Sequence, residues 1–188
     1  MYLYHYFEKS RGPFLNISDL NDDEAVQLLT GFSAENKIIA KRDPKGHEQY
    51  ILLRRIVEKR AYSMFVRKGG KPQRQTPYYM ILSENELEEG YEWFVDCGVI
   101  KIPVDEFDKS TVSFTHGDSF PAFKPRQDEE PEYNLYLYDE IMSIIERQGL
   151  PPVRTEDMSW WSDPTYIEAQ VWSDEPIYKY RKSYIRSE

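Results

Sequence analysis

Two spacings of apolar residues, one of two positions and one of three to four, divide this chain into predicted strands and helices. Ser110 to Thr115 alternates Thr111, Ser113 and Thr115 against Val112 and Phe114, which predicts a half-buried strand. Tyr2 to Phe7 is aromatic and extended in character, and Gly12-Pro13 breaks it. Pro77 to Leu82, Val99 to Ile102 and Tyr166 to Trp172 are the remaining strand candidates. The helical spacing is clearest where Tyr50, Leu53, Val57, Ala61 and Met64 recur, predicting a helix over about 47–68 that Gly69 can cap. Asn21-Asp22-Asp23-Glu24 opens a second helix over about 22–32 with a capping-box pattern.

Three further segments follow less regular patterns. Ser83 can cap an acidic helix running to about Cys97, with Leu87, Tyr91, Trp93 and Phe94 among its apolar positions. Another helix is expected over about 136–148, closed by Gly149 with Pro151-Pro152 beyond it. Residues 117–134 and 150–164 read as irregular loops, and Tyr178 to Glu188 as a polar, aromatic tail. Strands and helices mix without regular alternation and without glycine-rich strand-to-helix turns. The expected class is therefore α+β: a single compact domain over 1–188, with a mixed, largely antiparallel sheet and three to four flanking helices.

Composition narrows the setting. A chain of 188 residues with 40% hydrophobic and 30% charged residues has a soluble globular balance and enough length for a proper core. Tyrosine, with 15 copies, leads the aromatic residues, and its polar tip suits half-buried sheets and ligand clefts. Cys97 is the sole cysteine, so neither an internal disulfide nor a cysteine metal cluster can form, which fits a reducing, cytoplasmic setting. The first residues lack a secretory pattern, and no run approaches the roughly 18 apolar residues of a membrane span, so no membrane association is expected.

Charge is unevenly placed. Lys37 to Arg74 holds twelve Lys/Arg against Asp43, Glu48 and Glu58, a local balance of +9 in a chain of net −9. Such a segment, helical over much of 37–74, can be a phosphate-binding patch or a positive element docked against a negative body. The net charge and the scattered cations argue against nucleic-acid coating.

Several chemistries lack their motifs. Gly69-Gly70-Lys71-Pro72 does not have phosphate-loop spacing, and no dinucleotide fingerprint occurs. His5, His47 and His116 have no short ligand spacing, and His116 beside Asp118 fits a self-bonded turn better than a metal site.

Three segments carry the catalytic candidates. They are Tyr4-His5-Tyr6, Ser110 to Thr115 with His116-Gly117-Asp118, and Tyr166-Ile167-Glu168-Ala169-Gln170-Val171-Trp172. This layout resembles the ADP-ribosyltransferase-like superfamily, in which an early His or Arg strand, a middle hydroxyl strand and a late glutamate line an NAD cleft. The chain as a whole resembles a bacterial protein family of similar length, a likeness that carries no activity with it. The superfamily resemblance implies NAD as substrate and Glu168 as the carboxylate that stabilises a cationic sugar. It implies that His5 bonds the adenosine-side ribose, that Ser113 or Thr115 shapes the cleft, and that Tyr78 or Tyr79 stacks on nicotinamide. An arginine of the basic segment would face the pyrophosphate. The alternative is a non-enzymatic module that binds a protein partner, using aromatic loops at Trp160-Trp161 and Phe120 to Phe123 and the basic helix as a dock.

Overall fold

Strands β1 (Tyr2–Glu8), β2 (Tyr78–Ser83), β3 (Cys97–Pro103), β4 (Val112–His116), β5 (Leu135–Leu137) and β6 (Ile167–Val171) make one sheet. Their order is β3-β1-β2-β6-β4-β5, and every neighbouring pair is antiparallel. The computed structural model describes residues 1–35, 44–123, 135–151 and 166–187. The helices are α1 (Asp22–Glu35), α2 (Pro44–Arg67), α5 (Tyr138–Gln148) and α6 (Ile177–Ser187), with the short α3 (Glu88–Tyr91) and α4 (Ser119–Phe123) between them. The α+β class, the antiparallel sheet and the helices α1, α2 and α5 agree with the sequence reading.

Register decides which side chains share a face, because a strand alternates sides at every residue. Leu82 opposes Leu3 and Ile167, and Ala169 opposes Met80 and Phe114. These residues form one core cluster with Ile141 of α5 and Ile177 of α6, which cover that face. The opposite face carries Tyr4, Ile81, Glu168 and Thr115 in one row and Tyr79, Gln170 and Ser113 in the next. Helix α2 covers this second face, packing Val57, Ala61 and Phe65 against Trp172, Phe123 and Leu135. Helix α1 then packs on α2 through Ala25, Leu29 and Ile51.

The end of α2 follows the sequence signal closely. Gly69 takes a φ of 98°, its amide donates to Val66, and Gly70 donates to Phe65, the paired bonds of a Schellman cap. The stripe itself differs from expectation. Ile51, Val57, Ala61 and Phe65 are buried, whereas Leu53 and Met64 are half-buried, because the charged Arg54 and Glu58 also face the sheet.

Three other segments differ from the sequence reading for physical reasons. The acidic helix after Ser83 shrinks to Glu88–Tyr91. A Cβ at Gly90 would lie 2.5 Å from the Tyr6 ring, so a glycine that weakens the helix is required for that ring to approach. The chain then turns so that Leu87, Trp93 and Phe94 lie on Tyr4, Tyr6 and Ile81. The expected tail is instead α6, which buries Ile177, packs Tyr180 on the core and sets the Tyr184 ring edge-on to Phe7 at 5.2 Å. Within the expected loop 117–134, residues 119–123 form α4. The start of the helix expected from about 136 is taken by three-residue β5, which pairs with β4 among the described residues, so α5 begins at Tyr138.

Candidate functional site

The Glu168 row and the Gln170 row meet under α2, where the sheet carries polar residues rather than a continuous apolar surface. Trp172 Nε1 donates to Ser113 Oγ at 2.9 Å, and Ser113 Oγ donates to Gln170 Oε1 at 2.8 Å. Gln170 Nε2 then donates to Thr115 Oγ1 and to Glu168 Oε1, both at 3.0 Å. Thr115 Oγ1 donates onward to Gly117 O at 2.8 Å. All five side chains of this network are buried, so each bond offsets a desolvation cost that would otherwise stand uncompensated.

Glu168 ends the chain of bonds. Its Oε1 also accepts from the Ser119 amide, at the start of α4, at 3.2 Å. Burial pushes its carboxyl up to about 7, and the negative charge of Asp118 pushes the same way; the two donors and the Arg54 charge oppose this only in part. A carboxyl poised there can hold or release a proton at neutral pH.

A second buried group sits beside it. Glu58 of α2 accepts from Tyr79 Oη at 3.0 Å and from Asn16 Nδ2 at 3.1 Å, with Arg54 Nε 3.4 Å away. Asn16 Nδ2 is also 2.7 Å from the Pro77 carbonyl, pinning the segment after Gly12 to the start of β2. The Arg54 guanidinium lies 4.4 Å from the centre of the Tyr79 ring and donates to Tyr50 Oη at 3.2 Å. Burial holds the Tyr79 phenol well above its usual range, so it stays a donor to Glu58. The Arg54–Glu58 spacing is visible in the sequence as an i,i+4 pair. Its burial is not, since charged residues ordinarily mark the solvent side of a helix.

His5 stands apart. It faces the α5/α6 side with Leu3, stacks on Phe14 at 4.4 Å, and lies 5.7 Å from Phe7. The Phe14 amide donates to its Nε2 at 2.8 Å, which makes Nδ1 the protonated nitrogen and the donor to Tyr79 O at 3.0 Å. Burial lowers its ring to about 4, against the raising effect of that carbonyl. Phe14 adopts a φ of 58°, a left-handed conformation secured by this bond and by ring packing on Tyr78.

The predicted site residues therefore divide. Ser113, Thr115, Glu168 and Tyr79 come together on one face, with Gln170, Arg54 and Glu58 joining them. His5 and Tyr78 lie on the other face, and both ring nitrogens of His5 are occupied by backbone groups. The convergence of His5, a middle-strand hydroxyl and Glu168 on one pocket, as an NAD cleft of the resembled type would have it, is not made. Glu168 is also not the exposed strand residue its sequence context suggests; it is 8% exposed.

Among the described residues, part of the basic segment is paired with acids within the molecule. Arg55 pairs with Asp22, Lys68 with Glu140, and Arg74 with Asp19 and Asp174, while Arg60 donates to the Phe123 carbonyl. This is the arrangement of a positive element docked on a negative body. Phe120 is half-buried and stacks on Tyr50 at 5.4 Å, and Phe123 is fully buried. Trp160-Trp161 and residues 37–43 lie outside the described residues.

A cavity of about 570 Å³ opens where β1 parts from β2. The two strands pair only over Tyr2–Tyr4 and Ile81–Ser83, and the chain after Gly12 borders the opening. Its wall takes His5, Phe7 and Tyr78 from one face of the sheet and Tyr6 from the other, with Trp93 and Phe94 after α3 and Tyr50 and Arg54 from α2. Leu28 and Leu29 of α1 close one side. Sequence reading missed this place; its one signal was the cluster of aromatic residues in segments that never align in a motif. No family model, curated protein or solved structure matches this chain, and the functional reading rests on the geometry of the cavity and its neighbouring buried acids.

Proposed function

We propose that this protein binds a small molecule in the cavity between β1 and β2, with an aromatic ring as the part of the ligand held by the wall. The supporting observation is the cavity itself. At about 570 Å³ it falls in the range of ligand sites, and its mainly aromatic and aliphatic wall carries a minority of charged and amide groups: Glu8, Arg11, Asn16, Asp19, Arg54 and Arg181. Aromatic side chains supply broad contact at small entropic cost, which suits a planar ligand. NAD is the first compound to test, since it joins two aromatic rings to an anionic linkage. Glu168 lies outside the wall of this cavity, so turnover of NAD at that carboxyl is a separate step, which the same experiment reads.

The experiment is thermal unfolding with and without millimolar NAD, together with an assay for released nicotinamide. Binding to the folded state alone raises the midpoint by mass action. The expected result is a rise that Leu28→Trp, which fills the cavity, removes. Nicotinamide release that stops in Glu168→Gln assigns turnover to that carboxyl. No rise with NAD, AMP or nicotinamide rejects NAD and its parts as the ligand.

A further inference from the structure

A second cavity, of about 770 Å³, lies beside the first and has a different character. Its wall includes Arg74, Thr76, Asp174 and Glu175, whereas the first cavity is mainly aromatic and aliphatic. Asp19, Tyr78 and Arg181 belong to both walls, so the two spaces meet at those side chains.

Four arginines line the pair of cavities, and three of them are engaged. Arg54 is held by Tyr50 and Glu58. Arg74 pairs with Asp19 and Asp174 and lies 3.7 Å from the Tyr78 ring centre. Arg11 also has a partner. Arg181, half-buried on α6, pairs with no carboxylate among the described residues. Its neighbours on α6 show that partners are within reach of that helix, since Lys179 pairs with Glu106.

We infer that Arg181 anchors the anionic group of a ligand whose aromatic part fills the cavity between β1 and β2, so that the ligand is an aromatic anion spanning both spaces. This rests on the small-molecule reading above. A half-buried guanidinium shared by the walls of both cavities gives a carboxylate, sulfonate or phosphodiester a charge-assisted bond in a partly desolvated place.

Two dyes of similar skeleton test this, titrated by fluorescence: 8-anilinonaphthalene-1-sulfonate, an anion, and N-phenyl-1-naphthylamine, which is neutral. Both are expected to bind one saturable site, the anion more tightly. Arg181→Gln is expected to weaken the anion by about tenfold and the neutral dye by less than about twofold, the loss of one charge-assisted contact. Arg181→Lys keeps the charge and is expected to retain much of the anion's affinity. An unchanged anion affinity in Arg181→Gln, or an equal loss for both dyes, overturns Arg181 as the anchor and leaves the cavity reading in place. Binding of neither dye, or binding that Leu28→Trp leaves intact, overturns the cavity reading itself. The unfolding midpoint of each variant, measured alongside, separates lost binding from lost fold.

Discussion

His5 and Glu168 are both buried, titratable residues of one sheet, yet they sit on opposite faces and are held in opposite ways. Backbone groups satisfy both nitrogens of His5: the Phe14 amide gives to one and the Tyr79 carbonyl takes from the other. Side chains dominate around Glu168, through Gln170, Thr115 and Ser113, with one backbone amide from Ser119. A ring locked by main chain is a brace, since neither partner can turn away. A carboxyl reached through rotatable amide and hydroxyl groups can change protonation while its partners adjust. The same sequence prominence, a titratable residue between two apolar or aromatic neighbours in a strand, covers two unlike physical roles.

The largest expected effect breaks the Glu168 face at its supporting ion pair. Glu58→Leu leaves the Arg54 guanidinium without its acid and is expected to cost about 3–5 kcal/mol in urea unfolding. Replacing both residues, in Arg54→Met with Glu58→Leu, removes the stranded charge and is expected to recover much of that loss. A double variant as unstable as Glu58→Leu alone would show that the pair matters for packing rather than charge.

On the His5 face, Phe14→Ala deletes a fully buried ring that stacks on His5 and Tyr78, for a loss of about 3–5 kcal/mol. Amide exchange should then quicken at residue 14, whose NH has lost its fixed geometry to Nε2. Protection unchanged there would separate the brace from the ring packing.

Acid titration sharpens the contrast, because the two groups pull stability in opposite directions. His5 is lowered from 6.5 to about 4, so the unfolded chain binds more protons between those values and stability is lost as pH falls through that window. Glu168 is raised from 4.5 to about 7, so the folded chain binds more protons there and stability is lost as pH rises through that window. Each is worth about 3 kcal/mol across its full window, so between 4.5 and 6.5 their effects nearly cancel. Stability of Glu168→Gln is expected to rise with pH over that interval, and stability of His5→Phe to fall, each relative to the wild-type slope. Parallel slopes in the two variants would refute the opposition.

The smallest effect tests the relay. Thr115→Val keeps the shape but removes one acceptor of Gln170 Nε2, for an expected cost of about 1–2 kcal/mol. Pairing it with Gln170→Leu should give non-additive losses if the bonds act as one network.

Much of the fold was legible in local pattern. The strand at Val112 to Thr115, the α2 cap at Gly69 and the Asn21 helix start are each decided by neighbours in the chain, and each occurs where expected. Strand β4 is not half-buried, however: Ser113 and Thr115 are covered as completely as Val112 and Phe114, because α2 lies over their face. The helix after Ser83 and the tail after Tyr178 were misread because long-range contacts chose against local appearance. Tyr6 demands a glycine at position 90, and the sheet offers α6 a surface to cover.

The site divides in the same manner. Sequence alone placed Glu168, Ser113 and Thr115 on strands and gave their side chains a common alternation. That Thr115 lies directly opposite Glu168, and that His5 points the other way, follows from register between strands far apart in sequence. The burial of Arg54 and Glu58 likewise depends on how α2 is laid on the sheet. Periodicity is a property of a single segment and can be read from it. A face, a cavity and a shifted proton affinity are properties of segments in contact, and they come into existence only when the strands pair and the helices close over them.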